Sequence, residues 1–318
     1  MERVLVTGAT GFVGQVLCQA LAQAGYVVRA GLRTPRNVPD YIRETSVVGD
    51  LHGSTDWSTA LEGVDFVIHA AARAHVLNDS PDNAHQYFAT NAEGTQQLAL
   101  LAARAQVRRF VYLSSVKVNG EETVDHPFTA NDVPRPQDPY GRSKLLGEQH
   151  LAEVAAATGL QALSVRSPLV YGPGVRANFL RLMSWVDKER PLPLGSVANR
   201  RSLVSVWNLC DLLMHGLRHP RAPGRTWMVS DGFDLSTPDL IRALAAAMGR
   251  KARLMPVPVQ LLKLAGTLVG RQAEVARLCS SLVVDSSPLR AELNWQPPLS
   301  FEQGIARTVD WYVAASRQ

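Results

Sequence analysis

The sequence is poor in cysteine, in aromatic residues and in long apolar runs. Its three cysteines, Cys18, Cys210 and Cys279, lie too far apart for a CxxC motif or a zinc site, and they are too few for a secreted disulfide framework. No apolar segment precedes the glycine turn at residue 7, and the most apolar late stretch, 254–270, is interrupted by prolines and by Lys263. We therefore expect a cytoplasmic protein with no metal site and no membrane span.

Charge of one sign is not concentrated into a stripe. The 318 residues include 33 Lys and Arg against 28 Asp and Glu, which gives a formal net charge of +5, and the basic residues are scattered. This distribution argues against nucleic acid as a partner, and it suits a small substrate that carries phosphate. Because 46% of the residues are hydrophobic, a sizeable folded core is expected.

The first half of the chain alternates short β-branched runs with longer helical patterns, which is typical of a parallel sheet with crossover helices. We predict strands at residues 4–6, 27–32, 46–48, 64–69, 110–113 and 163–165, and helices at residues 14–24, 83–105 and 140–158. The pattern predicts a Rossmann-like, doubly wound α/β fold. Proline and glycine become frequent after about residue 166. We therefore predict a first domain at 1–167, to which 203–222 return, and a smaller C-terminal α/β domain at 168–318.

A glycine-rich segment follows the first predicted strand and opens the first predicted helix. It covers residues 7–14 and reads TGATGFVG. Backbone N–H groups at a helix N-terminus can meet a pyrophosphate there, because glycine lets the two approach closely. This segment predicts a dinucleotide site with the following contacts: Gly8, Thr10, Gly11, Phe12, Val13 and Gly14.

The end of the second predicted strand usually selects the dinucleotide, because an acidic residue there accepts hydrogen bonds from the ribose 2′-hydroxyl. This strand runs into Arg33 and Thr34, with no acid. Arg33 could pair with a 2′-phosphate through its planar guanidinium, so the sequence favours NADP(H), with NAD(H) as the alternative. Asp50, where the third predicted strand ends, is a candidate partner for the adenine amino group, although an ordinary loop aspartate explains it equally well.

Tyr140 and Lys144 lie four residues apart, and hence on one face of a helix. A nearby cation favours phenolate, so we expect a lowered pKa for Tyr140 and a role in proton transfer. Ser114 and Ser115 end a predicted buried strand at the carboxyl edge of the sheet, where doubly wound folds bind their ligands. One of the two serines is expected to hold a substrate oxygen beside Tyr140.

Taken in this order, these pieces resemble the extended short-chain dehydrogenase/reductase family, in its nucleotide-sugar epimerase and dehydratase branch, over nearly the whole chain. Segment 7–14 matches the TGxxGxxG of that family, 69–72 its HxAA strand end and 140–144 its YxxxK. The resemblance implies that Tyr140 and Lys144 are catalytic and also contact the cofactor. It adds the following cofactor contacts: Asp50, Leu51, Ala70, Ala71, Ala72 and Asn91.

The same resemblance implies a substrate site. Residues 114–120 resemble SSxxVYG, which makes Ser115 the catalytic hydroxyl and puts Asn119 where a tyrosine is usual, and 166–173 look like RPxxxYGP without the first proline. The implied substrate contacts are Ser115, Val116, Lys117, Asn119, Tyr140, Asn178, Arg201 and Arg277. Asn178 could instead cap a helix, and Arg201 and Arg277 could be surface residues. Arg277 stands in a segment where many members have R-x-G-D, and the acid of that motif is missing here.

Two reactions at C4 of a UDP-sugar fit this resemblance. The first is NAD(P)H-dependent reduction of the 4-keto group of a UDP-4-keto-6-deoxy-N-acetylhexosamine for surface polysaccharide such as lipopolysaccharide O-antigen. The alternative is a UDP-hexose or UDP-N-acetylhexosamine 4-epimerase with tightly held NAD. Arg33 favours the reductase. Dehydration is disfavoured because Val116 and Lys117 stand where dehydratases have acids, and a non-catalytic dinucleotide-binding module is a remote alternative because Tyr140 and Lys144 are both present.

The resemblance also implies a homodimer that packs two long helices, the predicted ones at 83–105 and 140–158, against their symmetry mates. Apolar helix faces are needed against the sheet in any case, so the sequence does not establish the dimer. It also fixes neither the sugar nor its stereochemistry at C4.

Overall fold

In a computed structural model, the structure of the chain is described for residues 1–74, 83–268 and 270–316. Within these ranges, seven strands form one parallel sheet in the order β3-β2-β1-β4-β5-β6-β9. Its strands are β1 (Arg3–Thr7), β2 (Val27–Leu32), β3 (Glu44–Val47), β4 (Phe66–His69), β5 (Arg109–Ser115), β6 (Ala162–Ser167) and β9 (Thr226–Met228). The chain order reverses between β1 and β4, which is where ligands bind in a doubly wound sheet. The predicted fold class is therefore confirmed.

The central strands are buried on both faces, because helices cover both sides of the sheet. Every residue of β4 and of β6 is buried. The covering helices of the first half are α1 (Phe12–Gln23), α2 (Ser58–Leu61), α3 (Ala84–Phe88), α4 (Gly94–Arg104) and α5 (Pro139–Thr158). Helix α5 begins with Pro139 in its first turn, after Asp138, whose Oδ1 accepts a hydrogen bond from Gly141 N at 2.7 Å. It ends at Gly159, which is left-handed with φ +79°.

The predicted helix at 83–105 contains a π turn. Residues 89–93 form this turn between α3 and α4, and the pattern of apolar residues gave no sign of it. The backbone carbonyl of Asn91 accepts hydrogen bonds from the Tyr112 hydroxyl at 3.0 Å and from Thr95 Oγ1 at 2.8 Å. Single π turns are frequent at functional sites, and this one lies directly against α5.

The second half of the chain builds a smaller sheet with its own core. Strands β7 (Leu169–Tyr171), β8 (Arg201–Ser205) and β10 (Asp234–Leu235) form it in the order β10-β8-β7. The helices of this half are α6 (Ala177–Asp187), α7 (Val206–Arg218), α8 (Thr237–Met248), α9 (Val259–Leu268), α10 (Gln272–Cys279), α11 (Ser287–Leu293) and α12 (Phe301–Ser316). None of the helices in the described ranges is long and apolar enough to cross a membrane.

The chain returns to the large sheet by way of α7. Leu209 and Leu213 of α7 are buried in the same core as Val4 and Leu17. Strand β9 then pairs with β6 beyond the predicted return segment of 203–222, and α11 also packs into this core. Within that predicted segment, the residues of β8 belong to the small sheet, so the return begins at α7 and extends past 222. The domain boundaries stay a prediction.

Gly147 tests the contact between α5 and the π turn. A Cβ atom at this position would lie 2.4 Å from the Asn91 carbonyl oxygen and 2.5 Å from the Tyr112 hydroxyl. We expect Gly147→Ala to lower the free energy of unfolding by about 1–3 kcal/mol, measured by urea denaturation, because this contact has no room for a methyl group. Gly53→Ala is the control, since its Cβ would lie 3.5 Å or more from its nearest neighbours. Equal stability of the two variants would contradict the close packing.

Candidate active site

The glycine segment forms a tight cradle at the carboxyl end of β1. Gly8 has φ +68°, and a Cβ there would lie 2.8 Å from the backbone nitrogen of Ala71. A Cβ on Gly14 would lie 1.9 Å from the Gly8 carbonyl oxygen, so α1 starts directly against the loop. The first turn of α1, which Gly11 precedes, holds no acidic residue that would oppose an anion. Side-chain-free backbone at a helix N-terminus fits the pyrophosphate of a dinucleotide.

A cleft of about 410 Å³ extends from this cradle along the carboxyl edge of the sheet. Many of the predicted cofactor contacts line it: Gly8, Thr10, Gly11, Arg33, Leu51, Ala70, Ala71 and Ala72. Phe12, Val13 and Gly14 belong to the first turn of α1, and of these Gly14 is buried. The sequence analysis did not single out the further lining residues Arg36 and Trp57.

Arg33 pairs with a carboxylate. Its Nε lies 3.0 Å from Asp50 Oδ1, and the two side chains are 77% and 76% exposed. The two residues that the sequence assigned to different parts of the dinucleotide are therefore partners at the rim of the cleft. A 2′-phosphate placed on Arg33 would also meet the negative charge of Asp50, which weakens the argument for NADP(H).

His69 connects the glycine segment to α4. Its Nδ1 lies 2.6 Å from Thr7 Oγ1 and its Nε2 lies 3.1 Å from Thr95 Oγ1. Thr7 Oγ1 in turn accepts a hydrogen bond from Ala71 N at 3.1 Å. Burial, reinforced by the charge of Lys144, lowers the pKa of His69 to about 3, so the ring is neutral. His69 therefore acts as a structural brace behind the cleft.

Tyr140 lies in the first turn of α5, next to the end of β5. Burial raises the pKa of Tyr140 to about 12; a hydrogen bond with Ser115 lowers it in part, whereas Asp138 and Tyr87 raise it further. The expected lowering by Lys144 is wrong for the protein alone, because desolvation is the largest effect on the phenol. The structure brings Ser115 and Tyr140 together. The strand and helix patterns predicted this contact for one of Ser114 and Ser115, and the family resemblance singled out Ser115.

Lys144 is the most deeply buried cation of the site, with 1% exposure. Its Nζ donates a hydrogen bond to the Leu113 carbonyl at 2.7 Å and lies 4.0 Å from the centroid of the Tyr112 ring. Burial lowers the pKa of Lys144 to about 7, and the Glu148 carboxylate acts in the opposite direction. Lys144 is therefore close to its protonation midpoint at neutral pH. A pKa near the working pH suits a proton-transfer site.

Asn91 holds the turn that follows β4. Its Oδ1 accepts a hydrogen bond from Arg73 N at 2.8 Å, and its Nδ2 donates to the Arg73 carbonyl at 3.0 Å. Nδ2 also donates to Ser143 Oγ at 2.9 Å, which connects this turn to α5. The Asn91 side chain is 1% exposed. The Asn91 side chain therefore does not line the cleft. It acts on the cofactor region through its hydrogen bonds to Arg73 and Ser143.

Lys117 joins the turn after β5 to the start of α5. Ser115 Oγ accepts a hydrogen bond from Lys117 N at 3.3 Å and caps the short 3₁₀ turn of residues 116–118. Lys117 Nζ forms ion pairs with Glu121 at 2.8 Å and with Asp138 at 2.5 Å. These pairs occupy the Lys117 ammonium group and position the turn that presents Ser115. Val116 is buried, 4% exposed.

Asn119 does not reach the substrate side, contrary to the sequence prediction. It is 3% exposed, its Nδ2 donates to the Thr129 carbonyl at 2.8 Å, and its Oδ1 accepts from Arg166 Nη1 at 2.9 Å. The rest of the Arg166 guanidinium makes a forked pair with Glu148, with Nη2 to Oε2 at 2.6 Å. The amide at this position therefore completes a buried ion network beneath the site.

The predicted diphosphate residues meet at a second, smaller cavity. This cavity of about 150 Å³ lies in the C-terminal part of the chain, and Asn178, Arg201 and Arg277 all line it. Arg201 Nη1 donates to the carbonyl of Arg277 at 2.7 Å and to that of Ser280 at 3.1 Å, which leaves other guanidinium N–H groups for a ligand. The sequence did not indicate the apolar residues that also line this cavity: Leu169, Phe179, Leu182, Leu203, Leu235, Leu240 and Leu278.

The comparisons with known proteins agree with this geometry. The sequence matches the NAD dependent epimerase/dehydratase family over residues 4–230. The chain belongs to this family. A UDP-glucose 4-epimerase from Vibrio cholerae is 40% identical to it over 321 residues, which cover 100% of this chain and 97% of that protein. Family membership confirms the predicted resemblance and the prediction of an enzyme.

Solved structures of the family superpose on the whole chain. MoeE5, solved in complex with UDP-glucose and NAD, is 26% identical, with a TM-score of 0.80 and 100% coverage of both chains. A UDP-glucuronic acid 4-epimerase from Bacillus cereus, solved with NAD, has a TM-score of 0.79 at 22% identity and 99% coverage of both chains, and it shares the fold. The NAD in these structures gives no support to the predicted preference for NADP(H).

The pair between Arg166 and Glu148 tests the ion network beneath α5. Both side chains are less than a tenth exposed, so we expect Arg166→Met to destabilise the protein by about 3–5 kcal/mol, because the Glu148 charge is left buried without a partner. The double variant Arg166→Met/Glu148→Leu should recover much of this loss in urea denaturation. Arg242→Ala, which removes an exposed pair with Asp239, should cost less than about 1 kcal/mol. No recovery in the double variant would contradict the assignment.

Proposed function

We propose that the chain is a 4-epimerase of a UDP-hexose or UDP-N-acetylhexosamine. The observation that carries this proposal is the full-length identity of 40% with a UDP-glucose 4-epimerase, in a chain whose Ser115, Tyr140 and Lys144 surround the end of β5. The sequence analysis preferred the 4-keto reductase, and the comparisons favour its alternative. Both reactions act at C4 with the same residues, so the difference lies in how the cofactor is used.

The residues around the cleft fit a nicotinamide dinucleotide. The backbone of Gly8, Gly11 and Gly14 would hold the pyrophosphate. A Cβ at Gly8 or Gly14 would collide with the backbone of Ala71 or of Gly8, so the shape of the cradle depends on glycine at both positions. Ala70, Ala71 and Ala72 line the cleft beyond it with small side chains and would flank the nicotinamide half. A nicotinamide dinucleotide held there would supply a reversible hydride acceptor for C4, and the positive charge of its oxidised ring would favour the phenolate form of a nearby tyrosine.

Tyr140 is the proposed proton-transfer group. In an epimerase the Tyr140 phenolate takes the proton from the substrate O4 as C4 is oxidised, and the resulting hydroxyl returns that proton as C4 is reduced. Ser115 shares a hydrogen bond with Tyr140, so it can hold the same oxygen in line. Lys144, one helical turn away, supplies a positive charge near the phenol. The positive charges of Lys144 and of a bound oxidised nicotinamide would oppose the desolvation of the phenol and lower the pKa of Tyr140 toward neutrality.

The small cavity of the C-terminal part is the proposed site of the UDP moiety. Arginine forks suit the two phosphates, and Arg201 and Arg277 stand side by side at the cavity. The apolar wall that includes Phe179 and Leu240 suits the uracil ring. Asn178 is exposed at the start of α6, where its Oδ1 accepts a hydrogen bond from Arg181 at 2.7 Å, and it would contact the diphosphate from the rim.

We propose NAD(H) as the resident cofactor. An epimerase returns the hydride that it removed, so it has no need of a reduced cofactor pool. Asp50 next to Arg33 disfavours a second phosphate at the adenosine ribose. The homodimer, with α4 and α5 in its interface, and a cytoplasmic location stay predictions.

The deciding experiment supplies the purified protein with UDP-glucose or UDP-N-acetylglucosamine and no added cofactor, and follows C4 stereochemistry by NMR. Epimerisation without added cofactor supports the proposal. The competing arm supplies a UDP-4-keto-6-deoxy-N-acetylhexosamine with NADH or NADPH. Stoichiometric loss of the 340-nm absorbance in that arm, with no epimerisation in the first, would establish the reductase instead.

Tyr140→Phe removes the hydroxyl and keeps the ring. We expect the turnover rate to fall by about 10²–10⁴-fold, because general acid–base catalysis at O4 is lost, while NAD binding measured by calorimetry stays within about threefold. Tyr26→Phe is the matched control, since the hydroxyl of Tyr26 binds Arg218 away from the cleft. A Tyr140→Phe enzyme with wild-type turnover would refute this mechanism.

Asp50→Asn tests the cofactor argument. Removing the carboxylate releases Arg33 and removes a repulsive charge worth about 1 kcal/mol at an exposed site, so the ratio of NADP to NAD affinity should rise about fivefold. The rise should shrink at high salt, because exposed charges are screened. Asp239→Asn, in an exposed pair on α8, is the matched control. An unchanged ratio in Asp50→Asn would show that the pair does not select the cofactor.

A further inference from the structure

Helix α9 is apolar on two opposite faces. Val259 and Leu262 pack against the core of the small sheet, and Gly266 is buried. On the other side Leu261, Leu264 and Leu268 are 55%, 58% and 79% exposed. Spacings of three and four residues put these three leucines into one stripe along the helix. A solvent-facing helix side normally carries polar residues, so this stripe requires a separate explanation.

The stripe is one of the few places where large apolar side chains are exposed together. Met255, four residues before α9, is also 44% exposed. Single exposed leucines are common on protein surfaces, but a contiguous row of them marks a surface that binds something apolar.

The segment around this stripe is strongly basic. Residues 250–279 hold six bases, Arg250, Lys251, Arg253, Lys263, Arg271 and Arg277, against one acid, Glu274, and two of these bases are paired with acids outside the segment, Arg250 with Asp187 and Arg253 with Glu189. Glu274 is paired with Arg181 from α6. Lys251, Lys263 and Arg271 are exposed and have no ion-pair partner among the residues that the structure describes. The occupant of the stripe should therefore be apolar at its core and negatively charged at its edge.

We propose that the exposed face of α9 docks on an anionic phospholipid bilayer. The three leucines enter the boundary between headgroups and acyl chains, and the neighbouring lysines and arginines meet the lipid phosphates with their long side chains. Ten residues of helix are about 15 Å long, which is enough to lie on a bilayer and half of what is needed to span one. A second copy of the chain fits less well, because a symmetric contact would place this basic surface against itself.

Docking at α9 would bring the substrate pocket to the membrane surface. Gly266 lies so close to α10 that a Cβ there would be 2.7 Å from Val275 Cγ2. The same helix α10 carries Arg277 and Leu278, both of which line the small cavity. The membrane-facing helix and the pocket-lining helix thus form one packed hairpin.

Co-sedimentation of the full chain with vesicles tests the proposal. The protein is mixed with vesicles of phosphatidylcholine alone or of phosphatidylcholine with about one third anionic phosphatidylglycerol, at low and at high salt. We expect binding to the mixed vesicles that is several-fold stronger than to neutral ones and is reduced by salt. Leu261→Gln/Leu264→Gln/Leu268→Gln should lower the partition coefficient by about tenfold or more. Val124→Gln/Val133→Gln, at exposed apolar positions outside α9, should leave it unchanged.

Two outcomes would overturn the proposal. One is equal sedimentation of wild-type protein with and without anionic vesicles. The other is a wild-type dimer in light scattering that the triple-leucine variant converts to a monomer, which would assign the stripe to self-association. Turnover of the triple-leucine variant on a dissolved UDP-sugar is measured in parallel. Because no residue of the stripe lines either cavity, that rate reports on the proposed function independently of membrane binding.

Discussion

A buried ammonium group loses its hydration, and the chain around Lys144 is arranged to offset that loss. The Leu113 carbonyl accepts its hydrogen bond, the Tyr112 ring lies beneath it, and the Glu148 carboxylate stands one turn further along α5. Glu148 itself needs Arg166, and Arg166 needs Asn119, so one buried charge is supported by a series of contacts that crosses from α5 to β6 and to the turn after β5. The position of Ser115 and Tyr140 depends on the same contacts.

The sequence predicted the large sheet, because strands that are buried on both faces read as short apolar runs between helical patterns. It also predicted that Ser114 or Ser115 meets Tyr140, from the positions of a strand end and a helix start, and the family resemblance chose Ser115 between them. The π turn at 89–93 could not be read in the same way, because the extra residue leaves no mark in the apolar pattern. The partners of Arg33 and Asn119 could not be predicted from the sequence either. Asp50 is distant in sequence from Arg33, and Arg166 from Asn119, and only the fold brings each pair together.

The sequence also does not show how far a group is buried or which distant group it contacts. For this reason the expected lowering of the pKa of Tyr140 was wrong, and the preference for NADP(H) found no support. A sequence shows that Lys144 is four residues from Tyr140, but it does not show how much water surrounds either group. In the folded chain desolvation decides both pKa values: it raises that of the phenol and lowers that of the ammonium group. Likewise, a basic residue at the end of β2 indicates a phosphate partner only if no carboxylate has already taken the guanidinium.

The π turn has a consequence for how this region tolerates changes of length. Each residue of an α-helix turns the chain by about 100°, so a deletion of one residue within 89–93 that left the turn in its π geometry would rotate α4 by that angle. Each residue of α4 would then take the place of the one before it, so that Gln96 would occupy the buried position of Thr95 and Leu98 would move to the half-buried position of Gln97. The Asn91 carbonyl would also move away from the Tyr112 hydroxyl. The π turn therefore keeps α3 and α4 in the orientations in which each packs against its own neighbours.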